Sequence, residues 1–298
     1  MKSVINLITE QNLGKLLFDY PASKLTSLGI GGIVKYLYYP KDLDSLILVI
    51  KTLKNKNLKY FVIGNGTNLL FKDCTYEYLF IKLNYLSRME KIEKNYFFAE
   101  AGAQGVKFSK FVIDNNSSGS EFMSIIPGTI GGLIYMNASS YHKSISDYLE
   151  KVEYLNEFGE VCVLENKNDF NYRKSFFTNT NLIITKGYFR FLDENPNSNK
   201  IVKEFRLKKQ STQPLEYKSA GSTFRNYDEI PAWKLIDKSG FRNFRIGNVC
   251  ISKKHANFLI NLSKASFNEA NSLIEKVKNK VYEDSGYLLE CELEIVEP

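Results

Sequence analysis

The chain has 298 residues, of which 44% are hydrophobic and 24% charged. This composition is typical of a globular protein with a sizeable core and excludes a fibrous or disordered chain. The 40 Lys and Arg residues outnumber the 33 Asp and Glu residues, but the resulting net charge of +7 is spread along the chain without a basic block. We therefore expect no nucleic-acid partner.

The apolar runs and the cysteines narrow the class further. No apolar run is long enough for a signal-peptide core or a membrane span, so we expect no membrane association and a cytoplasmic protein. The cysteines are far apart and form no C-x-x-C pair, which argues against a zinc site or a redox dithiol: Cys74, Cys162, Cys250 and Cys291. The sequence therefore predicts reduced thiols and no metal.

The predicted elements of the first two thirds of the chain begin with a helix over 42–56, where apolar residues recur at helical spacing. The apolar run 60–63 then predicts a buried strand that ends at Gly64. Further strands are predicted at 78–83, 96–100, 148–155, 160–164 and 182–192, with a helix at 106–115. This portion is therefore predicted to be strand-rich, with a mixed α+β fold.

A polar, turn-prone segment at 193–199 predicts a domain boundary. Beyond it we expect a helix over 200–210 and another from Ser266 to Tyr282, because Ser266-x-x-Glu269 is a capping-box spacing. The closing segment alternates apolar residues with Glu290, Glu292 and Glu294, which predicts a strand with three carboxylates on one solvent-exposed face.

Two glycine-containing turns are the most informative feature of the sequence. They are Gly64-Asn65-Gly66-Thr67-Asn68 and Pro127-Gly128-Thr129-Ile130-Gly131-Gly132. Glycine permits positive φ and close approach of main-chain N–H groups to a ligand, and Thr129 is placed to cap a following helix, so the pair is typical of a pyrophosphate site. Neither turn is a P-loop or a G-x-G-x-x-G fingerprint, which favours a dinucleotide bound by a different architecture. Taken alone, the first turn is equally typical of any tight turn after a strand.

Together with six further motifs, these turns resemble the UDP-N-acetylenolpyruvoylglucosamine reductase family. The order and spacing of the motifs hold from about Thr26 to Ile295. The further motifs are Thr26-x-x-x-Ile30-Gly31-Gly32, Tyr172-Arg173-x-Ser175, Gln213-Pro214-Leu215, Gly221-Ser222-x-Phe224-x-Asn226, Lys254-His255-Ala256-Asn257-Phe258 and Leu289-Glu290-x-Glu292, with Met136-Asn137-Ala138 following the second turn.

The resemblance implies a vanillyl-alcohol-oxidase-like (PCMH-type) fold with two FAD-binding subdomains and a C-terminal α+β substrate domain. The expected boundaries are 1–83, joined by the tail 293–298, then 84–195, and 196–292 for the substrate domain. It further implies noncovalent FAD, NADPH as reductant and a nucleotide-sugar substrate, whose enolpyruvyl group is reduced to give UDP-N-acetylmuramate for peptidoglycan. The short chain resembles the branch of the family without an extra substrate-covering loop.

The resemblance also assigns roles to individual residues. Those implied to bind FAD are Gly64, Asn65, Gly66, Thr67, Asn68, Gly102, Pro127, Gly128, Thr129, Gly131 and Gly132. Arg173 and Glu292 are implied to stabilise enolate charge, and Ser222 to donate a proton. A fixed guanidinium suits the first role, because it stays charged and grips a carboxylate through two hydrogen bonds. Tyr141 and Asn226 are implied to contact the substrate.

Several positions depart from the family pattern: Leu28-Gly29, Ser139-Ser140, Tyr227 and Cys291. None removes a group with a chemical role, so we expect altered turns rather than a different activity.

Two alternatives follow from the same residues. Another FAD oxidoreductase of this fold, such as an oxidase of sugars or alcohols, would keep the two glycine turns without needing Arg173 or Ser222. A non-catalytic basic domain would rest on the net charge alone.

Overall fold

The computed structural model describes residues 1–165, 168–227 and 230–298. The chain forms two compact units. Unit 1 comprises Met1–Phe18, Tyr36–Asn65 and Tyr78–Leu207, and unit 2 comprises Asp19–Lys35, Gly66–Glu77 and Lys208–Pro298. Each unit has its own apolar core, centred on residues such as Phe97 and Phe189 in unit 1 and Phe224 and Ile274 in unit 2.

The helices are α1 (Lys2–Glu10), α2 (Leu43–Asn55), α3 (Gly105–Asp114), α4 (Ile130–Tyr135), α5 (Ile145–Tyr148), α6 (Ser198–Thr212), α7 (Ala232–Lys238) and α8 (Phe267–Ser285). The strands are β1 (Gly14–Pro21), β2 (Ile33–Pro40), β3 (Tyr60–Val62), β4 (Leu69–Phe71), β5 (Thr75–Ile81), β6 (Met89–Glu93), β7 (Tyr96–Glu100), β8 (Ser117–Ser118), β9 (Ser139–Ser140), β10 (Lys143–Ser144), β11 (Leu149–Leu155), β12 (Val161–Leu164), β13 (Ile183–Arg190), β14 (Leu192–Asp193), β15 (Lys218–Ser219), β16 (Arg245–Ile246), β17 (Val249–Ile251), β18 (Leu259–Asn261) and β19 (Glu294–Val296).

The largest sheet of unit 1 is antiparallel, with the strand order β12-β11-β13-β7-β6. The sequence predicted β7, β11, β12 and β13 to within two residues at each end, because their apolar residues occur in short runs that one buried face explains. Helix α4, which follows the second glycine turn, contacts β13 and β7. The sheet therefore fixes where that turn lies in unit 1.

A second sheet has the order β1-β2-β5-β3. Within unit 1, β3 and β5 run parallel, with Tyr60 opposite Leu79 and Val62 opposite Ile81. The carboxyl ends of parallel strands meet at one edge of a sheet, which is the usual position of ligand sites in such sheets. Gly64, after β3, and Lys82, after β5, therefore lie at the same edge.

Unit 2 contains the antiparallel sheet β15-β18-β17-β16, which α8 contacts. The predicted capping box is confirmed, since the Ser266 hydroxyl accepts from the Glu269 N–H and the Glu269 carboxylate accepts from the Ser266 N–H. Helix α8 ends at Ser285 and is capped by Gly286, whose φ of 75° is left-handed and favours glycine.

The prediction of one long closing strand is wrong. Strand β19 begins only at Glu294 and pairs in parallel with β4, while the preceding segment makes an isolated bridge between Cys291 and Phe224. Glu290 is exposed, but Glu292 and Glu294 are half-buried, and burial raises the pKa of Glu294. Alternation predicts two faces but not the neighbours of each, so the three carboxylates do not share one exposed face.

Within the described ranges, no helix combines the length and the apolar character that crossing a membrane requires.

Candidate functional site

Gly64 and Asn65 are the part of the first glycine turn that belongs to unit 1, and there Gln104 joins them to the second glycine turn. The Asn65 side-chain amide donates to the Gln104 carbonyl at 2.6 Å, and the Gln104 amide donates back to Asn65 at 3.3 Å. The main chain of Gln104 in turn forms a bridge with Thr129. A Cβ built on Gly64 would lie 2.7 Å from the Thr129 hydroxyl, so the turns are in direct contact.

At Gly66 and Gly102, packing within the protein leaves no space for a side chain. Gly66 has a φ of 63°, and a Cβ there would lie 1.9 Å from the Leu25 carbonyl oxygen. At Gly102 a Cβ would lie 1.8 Å from the carbonyl oxygen of Leu83. Both are clashes with backbone, so packing alone excludes larger residues at these positions.

Gly132 differs from its neighbour Gly131. A Cβ on Gly131 would lie 3.0 Å from the Cβ of Ala101, which is tight, whereas a Cβ on Gly132 would meet the Thr129 hydroxyl at an ordinary 3.5 Å. Packing in the described structure therefore leaves space for a side chain at Gly132. That space is available to a ligand.

The two turns also differ in their main-chain donors. Among the described residues, the N–H groups of Gly64, Asn65 and Gly66 donate to no protein acceptor. In the second turn, the Ile130 and Gly131 N–H groups donate to carbonyls at 2.8 and 2.9 Å. Thr129 caps α4 as predicted, by accepting from the Gly132 N–H. Within the described ranges the Gly128 and Thr129 N–H groups likewise donate to no protein acceptor, so both turns hold donors for an anion.

Lys82 is a further residue at this position that the sequence motifs did not identify. Its ammonium donates to the Gly64 carbonyl at 2.8 Å, and burial lowers the pKa of Lys82 to about 8. A lysine inside an otherwise apolar run, as in Tyr78–Leu83, was the available sequence signal. Gln104 was missed because its role depends on the distant Asn65 side chain.

Arg173 lies in a tight turn of unit 1. Asn171 and Lys174 exchange main-chain hydrogen bonds across Tyr172 and Arg173, and Arg173 has a positive φ of 54°. Its guanidinium lies over the Tyr172 ring and donates to the Ser139 hydroxyl at 2.7 Å. This positive φ places Arg173 in the left-handed region, which non-glycine residues adopt infrequently.

Tyr141 follows Ser139 within the same unit and also has a positive φ, of 51°. Its ring stacks on Phe205 of α6 with 3.7 Å between centroids and 7° between planes. Burial raises the pKa of Tyr141, so its hydroxyl stays protonated and can donate a hydrogen bond.

Ser222 and Glu292 have neighbouring main chains in unit 2. The Glu292 N–H donates to the carbonyl of Thr223 at 2.8 Å, and the Thr223 N–H donates to Asn257 at 2.8 Å. The Asn257 side chain bonds the main chain of Phe224 in both directions. Ser222 is half-buried and follows Gly221, which has a φ of 76°.

Asn226, in the same unit, is exposed, and its side-chain oxygen accepts from the Ala232 N–H at 3.1 Å, where α7 begins. This contact gives Asn226 a structural role, while its contact with the substrate stays a prediction. Of the remaining predicted residues, Asn68 joins the first turn to Glu292, since its side-chain amide donates to the Glu292 carbonyl at 2.9 Å.

Comparison with known proteins identifies the class of this site. Residues 34–165, which include both glycine turns, match a family model described as an FAD binding domain. The chain is thus an FAD-binding protein of the oxidoreductase class. Residues 213–296 match the C-terminal domain of UDP-N-acetylenolpyruvoylglucosamine reductase.

Full-length relatives give the same result. The chain is 36% identical over 296 residues to the UDP-N-acetylenolpyruvoylglucosamine reductase of Caldicellulosiruptor saccharolyticus, covering 96% of this chain and 95% of the relative. It is 36% identical over 287 residues to that of Caldanaerobacter subterraneus, covering 95% and 94%. The chain therefore belongs to the UDP-N-acetylenolpyruvoylglucosamine reductase family.

Crystal structures confirm the predicted fold class. That of the Thermus caldophilus reductase superimposes with a TM-score of 0.79 at 26% identity, covering 95% of this chain and 99% of that one. Berberine bridge enzyme from Eschscholzia californica shares the fold alone, with a TM-score of 0.50 at 12% identity, covering 64% of this chain and 43% of that one.

Proposed function

We propose that this chain reduces the enolpyruvyl group of UDP-N-acetylenolpyruvoylglucosamine to UDP-N-acetylmuramate, a peptidoglycan precursor, with FAD as cofactor and NADPH as reductant, in the cytoplasm. The observation that carries the proposal is the turn Gly64–Asn68. The main-chain N–H groups of Gly64, Asn65 and Gly66 have no protein acceptor among the described residues. Gln104 joins Asn65 of this turn to the second glycine turn. This turn overlaps the region that matches an FAD binding domain.

The residues present fit FAD. The main-chain N–H groups of Gly64, Asn65 and Gly66 donate to no described protein acceptor and suit the pyrophosphate oxygens. We assign them to that part of the cofactor, together with Thr67 and Asn68, which complete the same turn. We assign Gly102, Pro127, Gly128, Thr129, Gly131 and Gly132 to the wall beside it, where the space at Gly132 admits the cofactor. The proposed subdomains remain 1–83 with 293–298, and 84–195, with 196–292 for the substrate.

When bound, FAD would supply the chemistry of accepting a hydride from NADPH and passing it to one carbon of the enolpyruvyl alkene. The chain's task is to stabilise charge on the substrate carboxylate and to protonate the other alkene carbon. Arg173 is assigned to the carboxylate, because a guanidinium held by Ser139 presents a fixed positive charge.

Ser222 is assigned as the proton donor. It is half-buried, and the turn before it is open, since a Cβ built on Gly221 would have no described atom within 4 Å. A small substrate group can therefore approach the hydroxyl from that side. A serine hydroxyl is a weak acid, so it protonates only a strongly basic centre such as the carbanion formed after hydride transfer.

Glu292 is assigned to stabilise the enolate together with Arg173. A carboxyl group assists a developing anion only when it is neutral or linked through a hydrogen bond. Tyr141 and Asn226 are assigned to the UDP portion of the substrate. The hydroxyl of Tyr141 and the side-chain amide of Asn226 are both groups that can donate a hydrogen bond to a phosphate oxygen.

The test begins with a visible spectrum of the purified protein. A bound flavin spectrum that NADPH bleaches without oxygen, and that the enolpyruvyl substrate then restores, supports the proposal. Product analysis should give one equivalent of UDP-N-acetylmuramate per restored flavin. Rapid restoration by oxygen without substrate would instead favour an oxidase, and a colourless protein that takes up no FAD would contradict the assignment.

A further inference from the structure

Lys82 is a largely buried cation at the first glycine turn. The Lys82 ammonium donates to the Gly64 carbonyl at 2.8 Å. The main-chain N–H of Lys82 donates to the main-chain carbonyl of Tyr38, on β2, at 2.9 Å. Among the described residues, no carboxylate forms an ion pair with Lys82. A buried lysine without an anionic partner costs free energy, so such residues usually serve a ligand.

The contact with Gly64 determines which way the next N–H group points. The Gly64 carbonyl and the Asn65 N–H belong to one planar peptide unit, and in a trans peptide the two bonds point in opposite directions. Lys82 therefore directs the Asn65 N–H away from itself. That N–H donates to no protein acceptor among the described residues.

The other groups of the turn are fixed as well. The Asn65 side chain is held by two hydrogen bonds to Gln104, so rotation of the Gly64–Asn65 peptide is opposed from both sides. The ammonium charge also polarises the peptide it binds, which makes the N–H end a stronger donor for an anion. Lys82 can therefore act on a ligand in two ways. It orients the Gly64–Asn65 peptide, and its positive charge attracts an anion bound there.

The charged residues that β2 and β5 carry are Lys35 and Glu77, which belong to unit 2 and form an ion pair with each other at 2.7 Å. Burial is the cause of its lowered pKa, and no charged side chain contributes to the shift. The titratable side chains on the adjoining strands within unit 1 are all phenols: Tyr36, Tyr38 and Tyr39 on β2, Tyr60 on β3 and Tyr78 on β5. Burial raises the pKa of Tyr38 and of Tyr60, so both remain neutral where Lys82 titrates.

We propose that Lys82 is a positioning residue for the diphosphate of the flavin cofactor. It holds the Gly64–Asn65 peptide with its N–H toward the phosphate. Its ammonium also supplies a positive charge, which no side chain of the turn Gly64–Asn68 carries. This rests on the proposed binding of FAD at the turn. Because the ammonium favours the bound anion, FAD binding should raise the pKa of Lys82 and be weaker wherever Lys82 is neutral.

The first measurement is the dissociation constant of FAD from the holoenzyme, obtained by dilution and separation of released flavin. Lys82→Met should raise it about 10- to 100-fold at neutral pH, the effect of losing one charge-assisted hydrogen bond. Lys107→Met, at an exposed lysine of α3, removes the same charge away from the turn and should leave the constant unchanged. An unchanged constant in Lys82→Met would overturn the proposal.

The second measurement separates positioning by charge from a purely structural role. In the parent protein, the FAD dissociation constant should rise about tenfold between about pH 7 and about pH 9, as Lys82 loses its proton in the free protein. Lys82→Met should show no such rise. The parent profile decides the matter even if that variant does not fold, since a flat parent profile contradicts the proposal, as does a variant that keeps the parent's slope. A parent protein that binds no FAD at any pH would instead contradict the proposed function.

Discussion

The side-chain amide of Asn68 donates a hydrogen bond to the main-chain carbonyl of Glu292 at 2.9 Å. The Asn68 carbonyl in turn accepts from the Glu294 N–H at 2.9 Å, where β19 pairs with β4. Asn68, the last residue of the first glycine turn, thus forms hydrogen bonds with both neighbours of Leu293 in the chain. Glu292 therefore takes its position from the turn to which we assign the cofactor.

Asn68→Ala should slow the reaction of the reduced enzyme with substrate more than the reduction by NADPH. Without the amide, the main chain at Glu292 loses one of its fixed contacts, and we expect a rate loss of about tenfold for the substrate step, with about 1 kcal/mol lost in the free energy of unfolding. Stopped-flow absorbance at the flavin band measures each step.

Asn261→Ala is the matched control, because the Asn261 amide also donates to a main-chain carbonyl, that of Leu28, at 2.9 Å in the same unit. It should cost similar stability without changing the ratio of the two rates. If Asn68→Ala slows both steps equally, Asn68 does not act through Glu292.

Ser222→Ala should leave reduction by NADPH intact and slow the substrate step by about 10²- to 10⁴-fold, the usual effect of losing a general acid. The same stopped-flow experiment measures both steps. Ser219→Ala, three residues earlier in β15, is a control that should not alter either step. An impaired first step with an intact second would show that Ser222 has a different role.

The sequence predicted helices and strands where a periodic pattern coincides with a buried face. Helix α2 and strand β7 lie within one residue of their predicted ends, because propensity and burial agree there. The prediction of the closing strand failed because a strand needs a hydrogen-bonding partner along its length. Around Cys291 the partner is a single bridge to Phe224, which no local pattern reveals.

The candidate site was predictable only in part, for a related reason. The glycine turns were recognisable because each is continuous in sequence. Gln104 and Lys82 become informative only through contacts with residues about 39 and 18 positions away. The glycines themselves were interpreted as ligand contacts, whereas Gly66 and Gly102 are already required by packing.

Gly132→Ala tests the space at the second turn. A Cβ there fits the described structure, so the melting temperature should be nearly unchanged, while the FAD dissociation constant should rise at least about tenfold if the cofactor occupies that space. Gly131→Ala is the complementary variant, since its Cβ would press on Ala101 and should mainly lower the melting temperature. Unchanged FAD affinity in a folded Gly132→Ala protein would remove Gly132 from the proposed contacts.

His255 should make unit 2 less stable in mild acid. Burial, with a smaller effect of Arg242, lowers the pKa of His255, and its Nδ1 accepts from the Asn257 N–H at 3.2 Å. The unfolded chain takes up the proton first, near about pH 6.5, so the stabilisation is complete above that pH and is lost as pH falls through the lower folded pKa.

His255→Asn should flatten this acid dependence, because an Asn side-chain oxygen can accept from the same N–H two residues on without titrating. Denaturant unfolding between about pH 5 and about pH 7 measures it. His142→Asn, at the other, exposed histidine, should keep the parent's slope. An unaltered slope in His255→Asn would assign the acid sensitivity to other groups.

Arg173 should act through a guanidinium that Ser139 holds in place. Arg173→Ala should lower kcat by about two to three decades with a smaller change in KM, as expected when a charge that stabilises the transition state is lost. Ser139→Ala removes the hydrogen bond of 2.7 Å to the guanidinium and should cost only about tenfold, because the charge remains but is less well oriented. Ser140→Ala, at the adjacent residue of β9, is the control and should match the parent.

If Ser139 works only by orienting Arg173, then Ser139→Ala should have no further effect in the Arg173→Ala background. An equal loss in both backgrounds would mean that Ser139 contributes to the reaction independently of Arg173.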